Sequence, residues 1–81
     1  MSLENVPIHN EEKLYRADKE GVYVRHNKVL AGIFTSRRGG ISVFRDGRNH
    51  PSYKTQDFMV KHTRKRVNSN NCDVIYVLAG D

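Results

Sequence analysis

An α+β fold is expected for this 81-residue chain on three grounds. Between Gly21 and Phe44, aromatic and β-branched residues come in short alternating runs separated by turn-formers, the pattern of antiparallel strands. A stretch at about 53–67 carries helix-terminus chemistry at both ends. The last run, Val74 to Leu78, is nearly continuous in β-formers. The expected architecture is a three-stranded antiparallel β-meander, one helix at about 53–67 and a C-terminal strand that joins the sheet. An all-β small barrel is the alternative.

Residues 1–12 are polar, are broken by Pro7 and keep no period. They are read as a flexible arm, loose unless docked, on a single small domain of residues 13–81. One domain is all this length sustains, because a core needs roughly 50 to 200 residues. Order is expected from Leu14 and Tyr15. From Gly21, Val22 and Val24 alternate with Tyr23 and Arg25, His26-Asn27-Lys28 interrupts, and Val29 to Thr35 resumes the β pattern. That is a hairpin, with Asn27 the residue that tolerates positive φ. Gly39 and Gly40 close a second connection over Ser36 to Gly40, and Ile41 to Phe44 begins the third strand. Asp46-Gly47 is a strong turn pair, and Pro51, lacking an N–H for the ladder, ends the meander.

Residues 52–67 admit two readings. As a strand, Phe58, Val60 and His62 alternate with Met59, Lys61 and Thr63, and Asn68 to Asn71 becomes a hairpin loop. As a helix, Pro51 or Ser52 starts it, Asp57 sits near the positive end of its dipole, and Lys65 and Arg66 sit near the negative end. Its apolar face would be Met59, Val60, Thr63 and Val67. The helix is preferred, because the run exceeds the roughly 3–10 residues of a strand. The strand after it is expected to be central and covered on both faces.

Charge is distributed unevenly. Between Arg25 and Arg66 lie eleven of the fourteen Lys and Arg residues, opposed only by Asp46 and Asp57, a net of +9. Residues 1–24 carry three cations against five acids, and residues 67–81 carry two acids and no cation. Clustered cations raise the local potential by several kT and imply a polyanionic or acidic partner. The cations divide into Arg37, Arg38, Arg45 and Arg48 around the meander turns, and Lys61, Arg64, Lys65 and Arg66 late in the helix. A guanidinium offers phosphate oxygens a planar fork and stacks on bases, which suits contact with a nucleic-acid backbone.

Other chemistries find little support. His9, His26, His50, His62 and Cys72 fit no metal-ligand spacing, so no metal or cofactor is expected. Arg38-Gly39-Gly40 occurs once, between strands, and is read as turn chemistry. Tyr53 is the aromatic expected to be exposed, and most of the aromatics are assigned to the core. His50, Tyr53 and Lys54 gather a base, a phenol and a cation, the groups of a metal-independent ribonuclease, which is a lesser alternative. Gly21-Val22-Tyr23 followed by Leu30-Ala31-Gly32 has the outline of the GIY-YIG nucleases. Those enzymes hold a divalent metal through a downstream glutamate, whereas every Glu here precedes Gly21, so that reading is excluded.

A lone cysteine allows no internal disulfide and suits a reducing compartment. The longest apolar run, about seven residues, falls far short of the roughly twenty that span a bilayer. A cytoplasmic location and no membrane contact are therefore expected. Apolar residues make up 37% of the chain, so stability should be modest and helped by a partner or by homo-oligomerisation. The leading expectation is a small intracellular non-enzymatic module that contacts nucleic acid at its phosphates with little sequence preference. The runner-up is a protein-binding regulator or inhibitor, of the kind found among small viral or accessory proteins. It would dock on an acidic surface and draw specificity from the arm of Glu4 to Glu20.

Overall fold

A computed structural model describes residue 3 and residues 5–34 and 42–81. In chain order it contains β1 (Lys13–Asp18), β2 (Val24–Arg25), β3 (Lys28–Val29), a 3-10 turn (Ala31–Phe34), β4 (Phe44–Arg45), α1 (Gln56–Arg66) and β5 (Asp73–Leu78). One helix, a three-stranded antiparallel sheet in the order β4-β1-β5 and a separate two-stranded ribbon β2-β3 make the fold α+β, with no closed barrel.

The central strand is β1, which pairs with β5 along its full length, from Lys13 opposite Leu78 to Asp18 opposite Asp73. On its other side Leu14 and Tyr15 lie opposite Arg45 and Phe44. Opposed residues share a face, so Tyr15, Tyr76 and Phe44 line one side of the sheet. The rings of Tyr15 and Tyr76 are 5.6 Å apart. Tyr15 is 1% exposed, and burial is the main cause that pushes its phenol up to about 12.

Both ends of β1 are fixed by buried carboxylates. Beyond its last residue, the Asp18 carboxylate accepts main-chain N–H groups from Val22, Tyr23 and Val24 at 3.0–3.3 Å. The chain reverses there through Gly21 at φ +69°. A short carboxylate that satisfies consecutive N–H groups is the chemistry that makes Asp a turn residue. The Asp18 clamp therefore sets where the β2-β3 ribbon leaves the sheet. Its turn has His26 at φ 49° and Asn27 at φ 63°, the two left-handed residues that a tight hairpin with right-twisted strands requires.

The meander changes after this hairpin. Leu30 N–H closes on Tyr23 C=O at 2.7 Å, and the chain then turns into a 3-10 segment instead of extending to Thr35. A Cβ on Gly32 would stand 3.2 Å from the Tyr23 ring, so the glycine admits that ring. The expected connection over Ser36 to Gly40 and the start of the third strand at Ile41 lie outside the described residues. Phe44–Arg45 is paired with β1, not β3. The C-terminal strand is also corrected: β5 is an edge of the sheet, with Tyr76 46% exposed, and β1 is the strand with a hydrogen-bonded neighbour on each edge.

Helix α1 begins where its caps dictate. The Thr55 side chain accepts from Phe58 N–H at 3.3 Å, and Asp57 lies in the first turn. It ends on Asn68 at φ 56°, where Asn68 N–H bonds Lys65 C=O and Ser69 N–H bonds Arg64 C=O. This paired closure is a Schellman motif with Asn in the glycine position. Met59 and Thr63 are the buried residues of the helix, which packs on β1 and β5. With Tyr15, Ile33 and Cys72 they make a small core.

Candidate nucleic-acid interface

Six of the eight cations singled out above lie among the described residues, and they have four different fates. Arg37 and Arg38 lie outside the described residues. Arg45 is turned inward and uses its whole fork. Its Nε donates to Glu12 Oε2 at 2.7 Å, Nη1 donates to the carbonyls of Leu3 and Val6 at 2.6 and 2.8 Å, and Nη2 donates to Pro7 C=O and Glu12 Oε1 at 3.2 and 2.8 Å. A guanidinium has five N–H donors, and all five are taken. In this arrangement Arg45 holds nothing back for a phosphate, and its work is to dock the segment before β1.

Glu12 is 1% exposed. Hydrogen bonding from Arg45 holds its carboxyl below the ordinary range against the opposing pull of burial, helped by the Arg45 charge and by main-chain N–H groups of Gly47 and His9. The same pairing raises Arg45. Arg48 is half-exposed and meets Glu11 at 3.2 Å, an exposed ion pair. The acidic N-terminal segment thus folds back over the meander cluster, and Ala79 and Gly80 N–H extend that docking by bonding the carbonyls of Glu12 and Asn10.

The helix cluster is different. Arg64 sends Nε to Cys72 C=O at 2.8 Å and ties the end of α1 to the start of β5. Lys61, Lys65 and Arg66 are exposed, and among the described residues none of them forms an ion pair. At about 100° per residue, Lys61, Lys65 and Phe58 fall within an arc of about 60° on the side opposite Met59 and Thr63. Lys54, just before the helix, reaches the same stripe with its Nζ 5.1 Å from the centroid of the Phe58 ring.

Phe58, which the sequence reading does not single out as an exposed aromatic, is 46% exposed, as is Tyr76. The signal was present, since the apolar face of Met59, Val60, Thr63 and Val67 already leaves Phe58 outside it. Its ring lies parallel to His62, at an interplanar angle of 11° and 5.9 Å between centroids, and His62 meets Phe44 edge-on at 5.4 Å. Tyr53 is 52% exposed, as expected.

The ribonuclease grouping of His50, Tyr53 and Lys54 sits in the turn before α1. His50 Nδ1 accepts from Ser52 N–H at 3.1 Å, and Tyr53 N–H bonds His50 C=O at 2.9 Å. With Nδ1 engaged as an acceptor, a neutral imidazole carries its proton on Nε2, which leaves no free lone pair for a general base. Among the described residues no three His, Cys, Asp or Glu side chains converge as metal ligands would. No helix there is long and apolar enough to cross a membrane. No protein-family model, curated protein or solved structure matches the chain.

Proposed function

We propose that this chain is a small non-enzymatic binding module that contacts the phosphate backbone of nucleic acid through the outer face of α1. Lys61 and Lys65 are the charge contacts on that face, with Lys54 beside them, and Arg66, which the helical turn sets nearer Met59, adds a contact at the helix end. Arg37 and Arg38, outside the described residues, are retained as further contacts. The observation that carries this reading is the division of the cations: the acidic N-terminal segment takes up Arg45 and Arg48, whereas Lys61, Lys65 and Arg66 are exposed and form no ion pair among the described residues. Cations neutralised by their own chain gain little from a polyanion, whereas exposed lysines release condensed counterions when they meet phosphates.

The acidic arm, which a protein-docking regulator would use for specificity, has Glu11 and Glu12 facing Arg48 and Arg45 instead. Ammonium groups act on phosphate as point charges, and phosphate contacts carry no sequence information, so binding through them has little sequence preference. A reducing cytoplasm suits the buried, unpaired Cys72 thiol.

The test is triple charge reversal, Lys61→Glu, Lys65→Glu and Arg66→Glu, with binding to a labelled oligonucleotide read by fluorescence anisotropy at about 50 mM salt. The expected result is a loss of at least about tenfold in affinity with the helical circular dichroism retained. Reversal of Arg25 and Lys28 on the ribbon is expected to leave the affinity within about twofold. A wild-type chain that binds no oligonucleotide, or a helix variant that binds as well as wild type, would contradict the reading.

A further inference from the structure

We propose that the open face of Phe58 is a stacking site for one unpaired nucleobase, which makes the ligand of α1 a single strand. This deepens the phosphate-contact reading and rests on it. The exposed ring is not a loose apolar side chain. His62, four residues later, lies parallel to it at 11°, and Phe44 on β4 abuts His62 edge-on at 89°. The sheet thus supports His62, and His62 supports Phe58, so the platform is ordered before any ligand arrives.

The ring is 46% exposed and a cation lies over it. Lys54, four residues before Phe58, holds its Nζ 5.1 Å from the ring centroid. An exposed cation–π contact is weaker than a base stacked on the same ring. A base that slides onto Phe58 therefore displaces the ammonium, and the ammonium is left beside the phosphate attached to that base. Lys61 and Lys65 lie about one and two helical turns further along the same side, where they meet the phosphates of neighbouring nucleotides. An aromatic ring set inside a row of cations is the arrangement by which single strands are held without sequence readout. In a duplex both faces of each base are already stacked, so a duplex gains the charge contacts alone.

The chain has no tryptophan, so Phe58→Trp introduces a single reporter at the site. Its fluorescence would be titrated with oligouridylate, with oligothymidylate, with an abasic sugar-phosphate strand of equal length and with a duplex. Quenching by the two base-bearing single strands and not by the abasic strand or the duplex is expected, and the two single strands report whether ribose matters. In parallel, Phe58→Leu keeps an apolar side chain and removes the π face. It is expected to weaken single-strand binding about tenfold while changing abasic and duplex binding by less than about twofold. Equal loss for all three ligands, or no loss for the single strand, would overturn the stacking site. If Phe58→Leu changes nothing while Lys61→Glu with Lys65→Glu loses every ligand, stacking falls and the charge reading stands. If the wild-type chain binds none of the ligands, both fall together.

Discussion

Arg45 and Glu12 show how a residue that reads as a surface contact becomes an internal one. In sequence they are 33 positions apart, and nothing in either neighbourhood signals the pairing. Arg45 stands among turn residues, which made it look like a loop-tip cation, and Glu12 closes an acidic polar stretch. Once β4 lies beside β1, the fork has the carboxylate and three main-chain carbonyls within reach. Lysine, with three donors on one atom, would not replace it. The pairing predicts a pH dependence. Because Arg45 depresses the folded-state pKa of Glu12 below its ordinary value, the pair stabilises the fold fully above about pH 4.5 and loses that contribution as pH falls through the depressed value. Glu12→Gln keeps the shape and removes the charge. At neutral pH it should cost about 1.5–3 kcal/mol. Denaturant unfolding from pH 6 downward should find the wild-type advantage shrinking below about pH 4.5 until the two curves meet. A constant gap across that range would mean that the Glu12 charge does not stabilise the fold.

Among the elements, α1 was the most legible because its signals are local. Asp57 and the terminal cations flank a run whose buried positions, Met59 and Thr63, keep a helical spacing, and Asn68 supplies the left-handed residue that ends it. The β2-β3 hairpin was legible for the same reason, through Asn27. The large sheet was not. Lys13 to Asp18 contains no β-branched residue and alternates poorly, yet it is the central strand because β4 and β5 cover its two edges. Propensity describes what a strand packs against more than what it is made of. β5 misled in the opposite sense, since its apolar run belongs to an edge, with Tyr76 partly in solvent. The contact of the N-terminal segment with the C-terminus gives an element-scale prediction. A Cβ on Gly80 would fall 2.9 Å from Asn10 Cβ and 3.1 Å from Asn10 O, an approach that forces main chain to move. Gly80→Ala should therefore destabilise by about 1–3 kcal/mol. Each kcal/mol corresponds to about 4–8 °C in Tm for a domain of this size. Oligonucleotide affinity well below Tm should be unaffected. An unchanged Tm would show that the N-terminal segment does not dock there.

At the scale of the molecule, the sequence has an acidic start, a basic middle and an acidic end, and folding uses the first to cover part of the second. The net of +9 between Arg25 and Arg66 therefore overstates the surface offered to a partner. Glu11 and Glu12 take up Arg48 and Arg45, and the exposed cations of α1 keep their charge. That division could not be read from the chain, because it depends on β4 lying beside β1. The composition carries only the expectation of a polyanionic or acidic partner, and the helical spacing of Lys61 and Lys65 placed them on one face. The central claim is that this row meets phosphates, and its most direct test is the salt dependence of binding. Single strands give a slope of about −0.7 per phosphate contact in log K against log salt, so Lys54, Lys61, Lys65 and Arg66 together predict a slope of about −2 to −3. Reversal of Lys61, Lys65 and Arg66 should flatten it. A wild-type slope near zero, or one that the reversal leaves unchanged, would contradict the account.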